Sequence, residues 1–341
     1  MSLDKKHPLY QEDLNNILAI PDVDFLRGKS FLITGATGLI GVQMIDALMQ
    51  LGGVKVYATG RSKAKAESRL GEYYSHPDFC FIEQDVTQPF EGVQNVDYII
   101  PLASNTHPLA YSKYPIETIL TNVKGVEYAL ELASACNATV LYPSTVEIYG
   151  NARGEDVFTE DYTGILDLST SRSCYTESKR LSEAMCQSYI AQRGLDVKIA
   201  RLSRIFGPTM LESDTKASSQ FLTKALNGED IVLKSTGDQF FSYTYVADAV
   251  AAMLYILLHG EVGKAYNISN DSCNMRLKEF ARLCAEYNGK DVVFDLPSST
   301  EKQGYSIAVH AILDNQKLRG IGFQPLYSKE NAIRRTLEIL K

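Results

Sequence analysis

Polar and apolar positions along the chain fall into two alternating textures. Short apolar runs, bounded by Gly, Asp, Ser or Pro, read as strands: 30–35 (SFLITG), 54–60 (VKVYATG), 79–85 (FCFIEQD), 96–104 (VDYIIPLAS), 138–145 (ATVLYPST) and 196–203 (DVKIARLS). Between them lie longer segments with apolar residues three and four apart, among them 42–51, 116–134 and 177–193, which read as helices. An earlier helix is predicted over 8–20, with Leu14, Ile17 and Leu18 on one face. Strands alternating with helices predict an α/β fold, a Rossmann-type doubly wound parallel sheet. After residue 206 the rhythm loosens. The reading is an N-terminal helical part (1–28), a dinucleotide-binding domain (29–206) with returns near 240–270, and a smaller interleaved substrate-binding domain made mainly of 207–341.

Length and composition narrow the picture only slightly. A chain of 341 residues with 45% hydrophobic and 22% charged residues is of ordinary globular composition. The net charge of −7 argues against nucleic acid as a partner. The longest apolar run, Ala249 to Leu258, is half of what a membrane span needs, roughly 20 residues. The N-terminal stretch lacks the apolar centre of a signal peptide. Six scattered cysteines without a CxxC pair read as reduced thiols of a cytoplasmic protein, and five histidines without ligand spacing predict no metal.

The chemistry sits at strand ends. Residues 31–41 (FLITGATGLIG) place Gly35, Gly38 and Gly41 directly after the first strand and at the start of a helix. That context suits a pyrophosphate: a tight turn, a close backbone approach, and a helix N-terminus offering free N–H groups. The second strand ends in Thr59, Gly60, Arg61 and Ser62, with no carboxylate to hold a ribose 2′-hydroxyl. Arg61 therefore favours NADP over NAD, unless it is a solvated surface arginine. Asp85, at the end of the third strand, is placed either to touch the adenine amino group or simply to end the strand.

Thr145 ends the fifth strand, and Tyr175 and Lys179 are four apart on one helix face. A tyrosine that abstracts a proton near neutral pH needs its pKa brought down from about 10, and a neighbouring lysine ammonium together with the cofactor's own positive ring favours the phenolate.

With the glycine loop, these residues resemble the extended short-chain dehydrogenase/reductase superfamily, the nucleotide-sugar epimerases, dehydratases and decarboxylases, over Phe31 to about Leu318. The resemblance implies a bound NAD or NADP touching Gly35, Thr37, Gly38, Leu39, Ile40, Gly41, Arg61, Asp85, Val86, Leu102, Ala103, Ser104, Tyr175 and Lys179. It implies Thr145, Tyr175 and Lys179 as the catalytic trio, and a homodimer through the helices near 116–134 and 177–193. Residues 144–186 and 102–125 look most like those of UDP-glucuronate decarboxylases, in which a Thr-x-Glu pattern matches Thr145 and Glu147. The dehydratases carry an adjacent Asp-Glu pair, and Val146 stands where the aspartate would be. The decarboxylase likeness implies oxidation of the sugar at C4, loss of carbon dioxide from the β-keto acid, and return of the hydride. Thr106 falls in the substrate loop of that likeness.

Three positions depart from the family pattern. Phe241 replaces an arginine that binds the substrate diphosphate, Thr209 replaces the arginine of an FGPR motif, and Arg204 replaces an asparagine. Losing two cations would weaken nucleotide-sugar binding, whereas Arg204 either restores one charge or pairs structurally with a carboxylate. A second reading is thus an NADPH-dependent reductase of a sugar phosphate or another small carbonyl. A 4,6-dehydratase, a 4-epimerase and a non-catalytic dinucleotide sensor complete the alternatives.

Overall fold

A computed structural model describes residues 3–106, 108–154, 156–295 and 309–341. Seven parallel strands form the main sheet: Ser30–Thr34, Lys55–Gly60, Phe79–Glu83, Tyr98–Pro101, Thr139–Thr145, Val197–Leu202 and Ala265–Ile268. Numbered along the chain, their spatial order is 7-6-5-4-1-2-3. The chain therefore winds outward in one direction for three strands and then starts again beside the first.

Strand alternation divides the interior. Successive side chains of a strand point to opposite faces. Phe31 and Ile33 join one core, with helices Leu39–Leu51 and Val246–His259 and the N-terminal helix; Leu32 joins the other, with helices Pro115–Cys136 and Ser173–Arg193. The same parity splits Ile100 from Ile99 and Leu141 from Val140 and Tyr142. Because both faces are covered, the central strands are apolar throughout rather than alternating.

The N-terminal helix spans Pro8–Ile17, shorter than the reading from periodicity because Leu18 closes it and Pro21 follows. It is packed tightly. Asp13 takes a 2.6 Å ion pair from Arg335 on the C-terminal helix Lys329–Leu340 and a 2.5 Å hydrogen bond from Tyr245. Several strands proved shorter than their apolar runs, for example Tyr98–Pro101 within 96–104, since only the residues facing a neighbour keep the ladder.

Register lines up the carboxyl ends. Thr34 lies opposite Thr59 and Pro101, and Thr145 lies opposite Leu202. The strand order reverses between Ser30–Thr34 and Tyr98–Pro101, and in open α/β sheets a ligand crevice forms outside the carboxyl ends at such a point. Arg204–Phe206 then leaves the main sheet and pairs in parallel with Tyr243–Tyr245, with Arg204 opposite Tyr243. Phe240–Phe241 belongs to a small sheet with Met275–Arg276, His310–Leu313 and Val157–Phe158. No helix among the described residues is long and apolar enough to cross a membrane.

Candidate active site at the carboxyl edge of the sheet

The glycines are held by contacts that leave no room for a side chain. Gly35 has φ +63°, and a Cβ there would lie 2.8 Å from Ala103 N, so the first turn is pressed against the loop after the Tyr98–Pro101 strand. Ala103 N donates to Thr34 Oγ1 at 3.0 Å, which fixes that approach. A Cβ on Gly41 would meet Gly35 O at 2.6 Å and Ala36 O at 2.8 Å. The helix begins at Leu39, three residues earlier than periodicity suggested, so Leu39, Ile40 and Gly41 supply its first N–H groups. Gly38 precedes it with no side-chain cap, leaving those N–H groups to a ligand. Thr37, Leu39 and Ile40 are half-buried around the turn.

At the second strand end Arg61 is exposed, and Ser62 caps helix Lys63–Leu70 by accepting from Lys65 N at 3.2 Å. Partial burial lowers the Lys65 ammonium, and Arg69 and Arg61 push it down further, so the three cations form one electropositive corner. Asp85 is exposed and spends Oδ1 on the amide and hydroxyl of Thr87, both at 2.9 Å. Chiefly that amide, helped by the Thr87 hydroxyl and Arg61, holds its carboxyl below the usual range. Val86 is buried under Gly125.

Past Leu102 and Ala103, Ser104 Oγ donates to Asn122 Oδ1 at 2.7 Å, and Asn122 Nδ2 donates to Ser178 Oγ at 2.8 Å. Ser178 Oγ donates in turn to Tyr175 O at 2.9 Å. This buried chain of bonds ties the loop to the Tyr175–Lys179 helix. Asn122 was not legible as a site residue, because in a helical pattern a lone asparagine carries no signal. Thr106 is exposed, and the neighbouring His107 lies outside the described residues.

Helix Ser173–Arg193 carries both Tyr175 and Lys179 into the interior, at 7% and 5% exposure. The Thr145 hydroxyl lies close enough to the Tyr175 phenol to pull its pKa down, and its Oγ1 accepts from Glu147 N at 3.3 Å. Tyr111 stacks on Tyr175 with centroids 4.8 Å apart, and the Arg172 guanidinium covers the Tyr111 ring at 4.8 Å. Arg172 Nη2 donates to both oxygens of Glu147, at 3.1 and 3.3 Å. Tyr111 and Arg172 escaped the sequence reading, since neither has a partner at a recognisable spacing.

The electrostatics differ from the sequence expectation in one respect. In this structure burial dominates, and the Glu147 carboxylate adds to it, so the Tyr175 phenol is pushed well above its ordinary value; Thr145 and Arg172 pull against this without reversing it. Lys179 does not offset it. Its Nζ donates to Pro143 O at 2.9 Å and lies over the Tyr142 ring, and burial brings the ammonium down to about 8.

The three departures from the family pattern resolve differently. Thr209 faces the protein: its Oγ1 donates to Leu39 O at 2.7 Å and its carbonyl accepts from Arg69 Nη2 at 2.5 Å, so it braces the glycine-loop helix. Phe241 is buried, and the Arg204 guanidinium lies 3.6 Å from its ring centroid. Among the described residues no carboxylate pairs with Arg204.

The edge has the features a dinucleotide requires. Besides the glycine turn and the uncapped helix start, Thr59 Oγ1 and Ser144 Oγ are buried there without a hydrogen-bond partner among the described residues.

Residues 31–269 match the family model described as NAD dependent epimerase/dehydratase family. UDP-glucuronic acid decarboxylase 6 of Arabidopsis thaliana is 33% identical over 276 residues, covering 81% of this chain and 79% of the relative. UDP-glucuronic acid decarboxylase 1 of Xenopus tropicalis is 35% identical, and the match spans 79% of this chain but only 63% of that longer protein. In fold the chain is similar to UDP-glucuronic acid 4-epimerase from Bacillus cereus, solved with UDP-glucuronic acid and NAD (TM-score 0.79, 19% identity, 91% of this chain and 98% of that one). It is also similar to dTDP-glucose 4,6-dehydratase from Streptomyces venezuelae (TM-score 0.77, 22% identity, 91% and 96%). The chain belongs to the NAD dependent epimerase/dehydratase family.

Proposed function

We propose that this member of the NAD dependent epimerase/dehydratase family modifies nucleotide sugars, acting on UDP-glucuronate or a close relative as a decarboxylase. The observation that carries the reading is the buried Tyr175 phenol with Thr145 and Glu147 close enough to act on it, set beside the glycine turn. The turn of Gly35, Gly38 and Gly41 and the N–H groups of Leu39 and Ile40 hold the pyrophosphate, and Lys179 holds the nicotinamide-side ribose. A bound oxidised nicotinamide supplies the hydride acceptor and a positive charge. Thr145 and Tyr175 share the hydrogen bond of the sugar's C4 hydroxyl, and Tyr175 takes its proton as C4 is oxidised. The raised phenol keeps its proton until positive charge arrives, so the base is armed only in the loaded site. Glu147, held by Arg172, is within electrostatic reach of that proton and assists its transfer. The buried Val146 offers no second acid, which disfavours a 4,6-dehydratase.

The electropositive corner of Arg61, Lys65 and Arg69 favours a 2′-phosphate, hence NADP, and supports the NADPH-dependent reductase as the second reading. Ile116, Ile119, Leu120 and Leu181 are exposed on the paired helices Pro115–Cys136 and Ser173–Arg193, and these apolar side chains support a homodimer across those helices. All six cysteines are free, which suits a reducing compartment.

Mass spectrometry of purified protein incubated with NAD or NADP and a panel of nucleotide sugars tests the proposal. Loss of carbon dioxide from UDP-glucuronate without net cofactor reduction is the expected result. A panel left unchanged by a protein that still binds NADPH would overturn it in favour of the reductase.

A further inference from the structure

Around Tyr175 stands a cation, Arg204, with no hydrogen-bond partner at Nη1 and no ion pair among the described residues. We propose that Arg204, lying on the face of Phe241, is the anion-binding residue of this site and holds an oxyanion of the substrate, phosphate or carboxylate. The proposal rests on the reading above that the site receives an acidic sugar nucleotide.

Arg201, three residues earlier, shows how this chain treats an arginine with a structural task. It forms two bonds to Glu183, at 2.7 and 3.1 Å, and others to the Tyr149 hydroxyl and Glu160 O. Arg204 has nothing comparable. Its Nη1 is sealed from solvent without a hydrogen-bond partner, and no ion pair to it exists among the described residues. The groups that act on it at longer range are Tyr243, Glu147, Arg172 and Tyr111. Glu147 is already held by Arg172, and Tyr111 is the ring stacked on Tyr175, so Arg204 is near the same groups that surround the reacting tyrosine.

A half-buried cation with a sealed nitrogen and no counter-ion is costly, and folding alone gives no reason to keep it. The chain nevertheless fixes it firmly. Arg204 N donates to Ser242 O at 3.1 Å, and stacking on Phe241 holds the guanidinium plane. A planar fork held flat on a ring, with N–H groups unspent, suits the paired oxygens of a carboxylate or a phosphate. Phe241 then positions the cation instead of displacing it, which answers the loss of charge at that position.

Isothermal titration of wild type, Arg204→Met and Arg204→Lys with UDP, UDP-glucose and UDP-glucuronate tests this, with NAD titration and thermal melting as controls. Arg204→Met is expected to bind the anion-bearing ligand about 10- to 100-fold more weakly, to bind NAD unchanged, and to melt no lower than wild type without ligand, because it removes an unpaired, half-buried charge. Arg204→Lys should fall between, since it keeps the charge and loses the planar stack. Equal weakening for all three ligands identifies the diphosphate as the oxyanion; weakening confined to UDP-glucuronate identifies the sugar carboxylate. Unchanged affinity for all three, or a clear loss of melting temperature in ligand-free Arg204→Met, would overturn the proposal. If wild type binds no uridine nucleotide, the nucleotide-sugar reading has failed and the clamp is decided by a second probe. Stabilisation of wild type by inorganic phosphate or a sugar phosphate, lost in Arg204→Met, then supports it, and no difference between the two proteins refutes it.

Discussion

Replacing Gly41 by alanine isolates the steric part of the dinucleotide site, because no unusual φ is involved there. A Cβ would lie 2.6 Å from Gly35 O and 2.8 Å from Ala36 O, whereas ordinary contact begins at 3.4 Å. Either the loop or the helix must retreat by about 0.8 Å (3.4 minus 2.6), and since the obstructing atoms are backbone, no rotamer relieves the clash. Overpacking of this kind costs about 1–3 kcal/mol. Alanine in a helix returns up to about 1 kcal/mol relative to glycine, so the net change in melting temperature is small to moderate and downward. Dinucleotide binding suffers more. A shift of that size stretches hydrogen bonds from the helix N-terminus to a pyrophosphate, and one lost charge-assisted bond is worth about 1.5–3 kcal/mol, or roughly 10- to 100-fold in affinity. Titration with NAD and NADP and melting with and without ligand are the assays. Gly71→Ala is the control, because nothing lies within 4 Å of its Cβ position and its φ of −59° suits any residue. If Gly41→Ala binds dinucleotide and melts as Gly71→Ala does, the close-approach argument is wrong.

Tyr175→Phe should lower kcat by about 10²–10⁴-fold while leaving dinucleotide affinity and melting temperature close to wild type, read by steady-state kinetics and titration. Glu147→Gln removes a carboxylate that raises the Tyr175 phenol, so the acid limb of the kcat/KM profile should move to lower pH even as kcat falls; a limb that stays in place excludes the electrostatic link. Lys179, at about 8 when folded and near 10.5 when unfolded, binds fewer protons in the native state between those values. Wild type should therefore gain stability relative to Lys179→Met as pH rises from about 8 to about 10, measured by melting across that range. Ile116→Asp combined with Leu181→Glu should yield monomers in sedimentation experiments, where wild type is expected to sediment as a dimer.

The parallel sheet was readable because its central strands are buried on both faces and so appear as continuous apolar runs separated by helical periodicity. The glycine turn and the Tyr175–Lys179 spacing were readable for a similar reason: each is a local constraint, a turn or one helix face, that adjacent residues express by themselves. Arg61 stood out through its place after a strand, although its corner with Lys65 and Arg69 needed the helix to form first. What the sequence could not express is whatever depends on residues distant in the chain meeting in space. Tyr111 and Arg172 reach Tyr175 and Glu147 only because helix Ser173–Arg193 and the short helix Pro108–Lys113 converge at one sheet edge. Thr209, read as a lost substrate cation, turned out to brace Leu39, some 170 residues away. Without the cofactor's positive ring, burial, a property of the assembled fold, and the Glu147 carboxylate raise the Tyr175 phenol, which the spacing to Lys179 could not express. For Arg204 the chain left two roles open, a structural partner or a ligand. The folded surroundings, an aromatic face beneath and no carboxylate beside it among the described residues, support the ligand role proposed above.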